Sequence, residues 1–197
     1  MKFVLASNSP RRKKILSQFG LEPIITPHKF NEESVDKNLP PEEYCQLISR
    51  GKLYSIMSDW ESYPIISADT IVVIDNIILE KPIDKDDALR MLNCLSGKEH
   101  LVITAVNFCY KNKNIKFSFT EKTFVKFNIL DQKEILYYVN THNPYDKSGS
   151  YGIQDFSAVF VESIKGCFFN VMGLPLSTLF QYFKKFDLVN FPLDIGG

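Results

Sequence analysis

The sequence predicts an α/β protein with a mixed sheet flanked by helices, and three observations carry that prediction. Strand-like and helix-like segments alternate over residues 2–95, whereas the strand-like segments 101–110 and 117–127 follow one another across an Asn/Lys-rich turn at 111–114. Alternation places helices over parallel strands, while consecutive strands pair as neighbours, so the sheet is mixed. Residues 64–74 are apolar almost throughout, the pattern of a strand buried on both faces. No repeat or linker divides the chain, and one domain is expected over residues 1–197.

The apolar run at residues 2–6 is the first strand. Ser9 before Pro10 then starts a helix, with the serine as cap and the proline at the first helical position, where its missing N–H costs nothing. That helix is expected to reach Phe19 and stop at Gly20. Residues 21–26 read as a second strand, and the polar stretch 28–39 as a surface loop. Pro40-Pro41-Glu-Glu opens a helix in which Tyr44, Leu47, Ile48 and Leu53 recur at helical spacing through Met57. After the buried strand, Asp75-Asn76 reads as a turn, 77–79 as a short return strand, and 84–95 as a helix ended by Ser96-Gly97. A helix is expected from Leu130 through Tyr138, a strand at 158–164, and an amphipathic closing helix at 175–186.

Composition narrows the function classes. Hydrophobic residues make up 45% of the 197, enough for a full core. Lys plus Arg total 23 and Asp plus Glu total 23, so no global field favours nucleic acid or an anionic membrane. No stretch approaches the roughly 20 apolar residues of a membrane span, and the N-terminal apolar run is too short for a signal peptide's core. The four cysteines lie far apart, which fits reduced thiols better than a disulfide framework or a zinc site. A soluble, cytoplasmic protein is expected.

Several clusters could carry chemistry. SNSPRRKK at 7–14 puts four cations at a helix start, where acids are favoured by about 0.3–1 kcal/mol each. Either solvent absorbs that cost, or an anion sits there among serine hydroxyls, guanidinium forks and free N–H groups. The glycines and Gly-Lys-Ser/Thr ending of a P-loop are absent. Asp69, followed by Thr70, interrupts the apolar strand; a buried carboxylate must be paired, hydrogen-bonded or metal-bound. It is a structural acid, a general base for water or a Mg²⁺ ligand. Lys52 sits on the helix opened by Pro40, and Lys81 precedes a proline that biases it to an extended conformation. In residues 146–154, DKSGSYGIQ, two glycines permit close backbone approach and Gln154 offers a donor and an acceptor suited to a base edge. NVMGLPL at 170–176 reads as a strand-to-helix turn in the core.

Together these segments resemble the Maf family of nucleoside triphosphate pyrophosphatases, also called septum formation inhibitor proteins. The matching pieces are LASNSPRRKKIL, SADTIVV, Lys81-Pro82, MLNCLSGKEHLVIT, DKSGSYGIQ and NVMGLPL, in the family's order and spacing from residue 3 to about 180. The resemblance implies an elongated, twisted sheet in two lobes with a nucleotide cleft between them, similar to inosine triphosphate pyrophosphatases. It implies hydrolysis between the α- and β-phosphates with a divalent cation, Mg²⁺ or Mn²⁺, and a homodimer. Carried onto this chain, Asp69 matches the proposed catalytic base, and Lys52 and Lys81 match catalytic cations around the phosphates. Ser7, Ser9, Arg11 and Arg12 match positions around the phosphates, and Glu33 an acid that shares the metal with Asp69. Arg11, Thr70 and Gln154 match positions tied to substrate choice. The Ala-Asp-Thr form is similar to the branch acting on dTTP and UTP, with modified pyrimidine nucleotides also in range. The other branch takes 7-methyl-GTP.

Four departures from the family's pattern stand out: Glu80 before Lys-Pro, His142-Asn143 in place of Gly-Glu, Ala105 for glycine, and Asp155 for glycine. Glu80 puts a carboxylate next to a lysine expected to hold phosphate. Two rival readings follow from other classes. One is a nucleotide sensor that binds without turnover, and the other is a basic module binding nucleic acid through RRKK, which the balanced charge disfavours.

Overall fold

The structure is a computed structural model that describes residues 2–189. Met1 and residues 190–197, part of the single domain expected over 1–197, lie outside the described residues. Among the described residues seven strands form one mixed sheet: β1 (Val4–Ala6), β2 (Ile24–Thr26), β3 (Ile65–Ile74), β4 (Ile77–Leu79), β5 (Glu99–Tyr110), β6 (Ile115–Phe127) and β7 (Val161–Lys165). Among the described residues six α-helices accompany it: α1 (Pro10–Gln18), α2 (Pro41–Tyr54), α3 (Lys85–Leu95), α4 (Gln132–Thr141), the single turn α5 (Phe168–Val171), and α6 (Leu176–Lys185). The expected mixed sheet flanked by helices is what the chain forms.

The strand order is β2-β1-β3-β5-β6-β7, with β4 also on β3. β1 is parallel to both β2 and β3, and the remaining pairings are antiparallel. β5 runs along β3 from Ile65 to Val73, so β1 and β4 must share the other edge. β1 takes Ile65–Ser67 and β4 takes Val72–Ile74, which leaves residues 68–71 of β3 without a strand on that side. This gap falls on Asp69 and Thr70. A crevice of that kind, where neighbouring strands part, is where α/β sheets take ligands.

The core lies on both faces of the sheet. Leu5, Ile15, Leu16, Ile66, Leu174, Leu179 and Phe183 pack α1 and α6 against one part of it. Ala88, Leu92, Ile135 and Tyr138 bring α3 and α4 onto another, with Val102, Val125 and Phe127. Tyr44, Cys45 and Ile48 seat α2 over Ile71, Ile103 and Ala105. Ala105, opposite Asp69 in the register, is fully buried, so its methyl group is part of that contact.

Where the elements differ from expectation, local chemistry explains it. Residues 158–160 belong to a 3-10 turn, Phe156–Phe160, and the strand begins only at Val161. Asp155 sets this turn by accepting from the Ser157 N–H at 3.0 Å and its hydroxyl at 2.8 Å. The strand at 21–26 is trimmed to Ile24–Thr26, following Pro23, which has no N–H to donate. α4 begins at Gln132 because Asp131 and Glu134 form a reciprocal capping box. Asp75 and Asn76 adopt φ of 50° and 63°, the two-residue hairpin turn their sequence announces.

Candidate active site

A cavity of about 720 Å³ opens at the gap in β3. Its lining includes the ten residues matched to catalytic, phosphate, metal and substrate-choice positions: Ser7, Ser9, Arg11, Arg12, Glu33, Lys52, Asp69, Thr70, Lys81 and Gln154. The amino-terminal turn and the acid of the central strand therefore face one space.

The four cations of α1 divide by helical position. Lys13 and Lys14 are exposed, whereas Arg12, with Ile15 and Leu16, is on the buried face. Arg12 is only 8% exposed. Its Nε donates to the Gly173 carbonyl at 2.8 Å, Nη1 to Ser7 Oγ at 3.1 Å and Nη2 to Thr70 Oγ1 at 2.9 Å. Burial pulls its pKa down, opposed by the nearby Asp69 charge. Three of five N–H groups are thus spent within the protein, leaving two for a ligand. Ser9 caps α1, its Oγ accepting from the Arg12 N–H at 3.4 Å. Arg11 is nearer the surface and forks onto Asp146, with Nη1 2.7 Å from Oδ2 and Nη2 3.2 Å from the carbonyl.

Asp69 is 8% exposed and Lys52, in the last turn of α2, is 6% exposed. Lys52 Nζ donates to Asp69 Oδ1 at 2.7 Å. The Cys45 thiol, two turns before Lys52 on the same face of α2, donates to the Asp69 carbonyl at 3.4 Å and lies 4.0 Å from Oδ2. Burial, then the Asp69 charge, pushes that thiol's pKa up and keeps it protonated.

Glu32, which no sequence motif marks, joins the Lys52–Asp69 pair. Its Oε1 lies 3.1 Å from Lys52 Nζ and 3.3 Å from His28 Nε2. Burial alone would raise its pKa, but the hydrogen bond from His28 and the charge and hydrogen bond of Lys52 bring it to about 2. Glu33 also lines the cavity but is exposed. Both residues sit on the 3-10 turn Glu32–Ser34, capped by Asn31. With about three residues per turn, neighbours point roughly 120° apart, so only one can aim at Lys52. The sequence holds no signal for which of the two it is.

Lys81 lines the cavity, exposed and without an ion partner among the described residues. Glu80 turns away from it: Oε2 lies 2.5 Å from Lys37 Nζ, and Oε1 accepts from Tyr44 OH at 2.7 Å. The carboxylate next to Lys81 in sequence is thus occupied elsewhere. Arg11–Asp146 and Lys37–Glu80 are surface pairs, worth about 0–1 kcal/mol, and are cheap to exchange for an anionic ligand.

Residues 146–154 close the far side. Ser148 Oγ accepts from Val72 N–H at 3.2 Å and donates to the Leu79 carbonyl at 2.6 Å, tying this segment to β3 and β4. Gly149 has φ 68°, and a Cβ there would stand 3.0 Å from the Val72 side chain. Gln154 is exposed at the rim, its amide free of partners among the described residues. The 170–176 segment, expected as core packing, does more, since Gly173 supplies the carbonyl that holds Arg12 Nε. Thr70 Oγ1 is likewise taken up by Arg12, so its hydroxyl bears on a ligand through that arginine.

A family model described as Maf-like protein matches residues 2–186. The chain belongs to that family. Among curated proteins, this Maf-like chain is 43% identical to a dTTP/UTP pyrophosphatase of Thermosipho africanus, covering 92% of this chain and 91% of that one. It is 38% identical to one of Clostridium perfringens, over 95% and 98% of the two chains, and 43% identical to one of Bacteroides fragilis, over 93% and 95%. Among solved structures, the Ham1 protein of Staphylococcus aureus aligns with a TM-score of 0.45 and 11% identity, over 64% of this chain and 72% of that one.

A divalent cation is expected from the sequence. Among the described residues no three His, Cys, Asp or Glu side chains form a closed metal cluster. What the cavity does offer is carboxylate oxygen from Asp69 and Glu32, both on Lys52. Mg²⁺ is commonly held by one or two carboxylates with water and substrate phosphate supplying the rest. The donor set fits an ion shared with a phosphate ligand.

Proposed function

We propose that this cavity binds a nucleoside triphosphate and hydrolyses the bond between its α- and β-phosphates, with dTTP and UTP as substrates. The products are the nucleoside monophosphate and pyrophosphate. The observation that carries this reading is Asp69 itself: a carboxylate in the central strand, held by Lys52, facing the same cavity as Arg12 and Lys81. Kinship with dTTP/UTP pyrophosphatases along nearly the whole chain supports the choice of substrates.

In this reading Asp69 Oδ2, the oxygen not bonded to Lys52, orients or deprotonates the water that attacks the α-phosphorus. Lys52 holds that carboxylate in place through its bond to Oδ1. Negative charge grows on the departing pyrophosphate, and preorganised cations at that end stabilise it. Lys81 has no ion partner among the described residues, Arg12 has two N–H groups left, and Arg11 exchanges Asp146 for phosphate oxygen. Ser7 and Ser9 hydroxyls complete the cradle at the start of α1. Gln154 reads the base edge from the rim. Asp69 would hold a divalent ion together with Glu32 or Glu33, and such an ion supplies charge neutralisation on the phosphates.

A cytoplasmic setting and a homodimer belong to the same proposal. Free thiols at all four cysteines suit a reducing compartment, and no helix among the described residues is long and apolar enough to cross a membrane. The test of function is a pyrophosphate-release screen across canonical, methylated and deaminated triphosphates with Mg²⁺ or Mn²⁺. Release led by dTTP and UTP is expected. Preference for 7-methyl-GTP, or tight binding without pyrophosphate, would overturn it.

A further inference from the structure

We propose that Thr104 and Asn170, which no ligand needs to touch, are positioning residues that aim Arg12 into the cavity. The inference rests on the reading of that cavity as a triphosphate site. Arg12 Nη2 donates to Thr70 Oγ1, which lies 3.0 Å from Thr104 Oγ1, and Thr104 Oγ1 donates to the Asn170 carbonyl at 3.2 Å. A hydroxyl has one hydrogen. Thr104 spends its own on Asn170, so Thr70 is the donor between the two threonines. The alternative sends the Thr70 hydrogen to the Gly173 carbonyl over a longer 3.4 Å, on an oxygen that already accepts from Arg12 Nε. The short contacts therefore make a one-way chain, Arg12 to Thr70 to Thr104 to Asn170, in which each hydroxyl accepts once and donates once.

Asn170 anchors the chain. It is fully buried, and its Nδ2 donates to the Val102 carbonyl and to Thr123 Oγ1, both at 3.0 Å. Its carbonyl also accepts from the Gly173 N–H at 2.9 Å. Two arms thus reach the guanidinium from one residue: through Thr104 and Thr70 to Nη2, and through the Gly173 turn to Nε. The Asn170 Oδ1 is buried without a partner among the described residues. An apolar side chain would avoid that cost, so what the amide contributes lies in the bonds its nitrogen makes. Losing the Thr104 hydroxyl would leave Thr70 free to rotate, and with it the tie on the arginine.

The test uses the full chain and calorimetric binding of a non-hydrolysable α,β-imido deoxyuridine triphosphate, alongside KM and kcat with dTTP. Thr104→Val keeps the shape and removes the hydroxyl. It is expected to weaken analogue binding and raise KM about tenfold, the scale of one hydrogen bond to a charged group. Thr104→Ser should stay within about twofold of the wild type by the same reckoning. On an Arg12→Met background, Thr104→Val should cost nothing further. Wild-type binding by folded Thr104→Val, or an equal loss with and without Arg12, would overturn the inference while leaving the triphosphate reading in place. If Thr104→Val does not fold, Thr104→Ala is put through the same cycle. Wild-type protein that neither binds the analogue nor releases pyrophosphate would remove the triphosphate reading, and this inference with it.

Discussion

Lys52 Nζ lies 2.7 Å from Asp69 Oδ1, and both residues are almost wholly enclosed. The same ammonium reaches Glu32 at 3.1 Å, so one cation from α2 joins the central strand to the loop over the cavity. A carboxylate at this depth is tolerable only because that partner is present.

Removing the lysine should therefore damage stability as well as turnover. Breaking a buried pair from one side costs about 3–5 kcal/mol. Lys52→Met is expected to lose stability on that scale in urea denaturation, with part of it restored by adding Asp69→Asn. A loss below about 1 kcal/mol would place the pair among solvent-screened ones.

Glu32 predicts an acid-side dependence. Its folded pKa, about 2, is below the unfolded value of 4.5, so its contribution is fully present above pH 4.5 and is lost as pH falls toward 2. The urea midpoint of the wild type should drop through that window. Glu32→Gln should drop less there, and an identical profile would contradict the assignment.

His100 acts higher on the pH scale. It is buried with Nε2 2.7 Å from Tyr151 OH, and burial lowers its pKa to about 4 from 6.5. The unfolded chain takes up this proton first, so stability is kept above pH 6.5 and lost as pH falls toward 4. His100→Gln should flatten the profile in that range, separately from Glu32.

Gly173 has φ 105°, which side chains rarely adopt, and a Cβ there would stand 3.4 Å from Thr70 Oγ1. Gly173→Ala should cost about 1–3 kcal/mol of backbone strain. It should also weaken triphosphate affinity, because the displaced carbonyl holds Arg12. Thermal melting with and without nucleotide reads both effects.

Much of this was legible in the sequence because it is local. The cap at Ser9, the Asp75-Asn76 turn and the apolar run around Asp69 each depend on a few neighbours, and they placed strands and helices well. The gap in β3 was not legible, since it arises from β1 and β4 sharing one edge, a long-range pairing. Nor was Glu32 over Glu33, where the rotation of one turn decides. Asp155 looked like a bare substitution for glycine, and its role as the cap of a 3-10 turn depends on Ser157 beneath it. The segment holding Gly173 reads as core by composition. Its carbonyl meets Arg12 only once α1 and the turn before α6 come together.

The most direct test of the central claim is pyrophosphate release from dTTP by the wild type and by Asp69→Asn, with products followed by phosphorus NMR. A general base contributes about 10²–10⁴-fold, so Asp69→Asn should release pyrophosphate slower by at least on the order of 10² while still binding the triphosphate. Near wild-type release by that variant, or orthophosphate as the product, would contradict the assignment of Asp69 and of the bond that is cut.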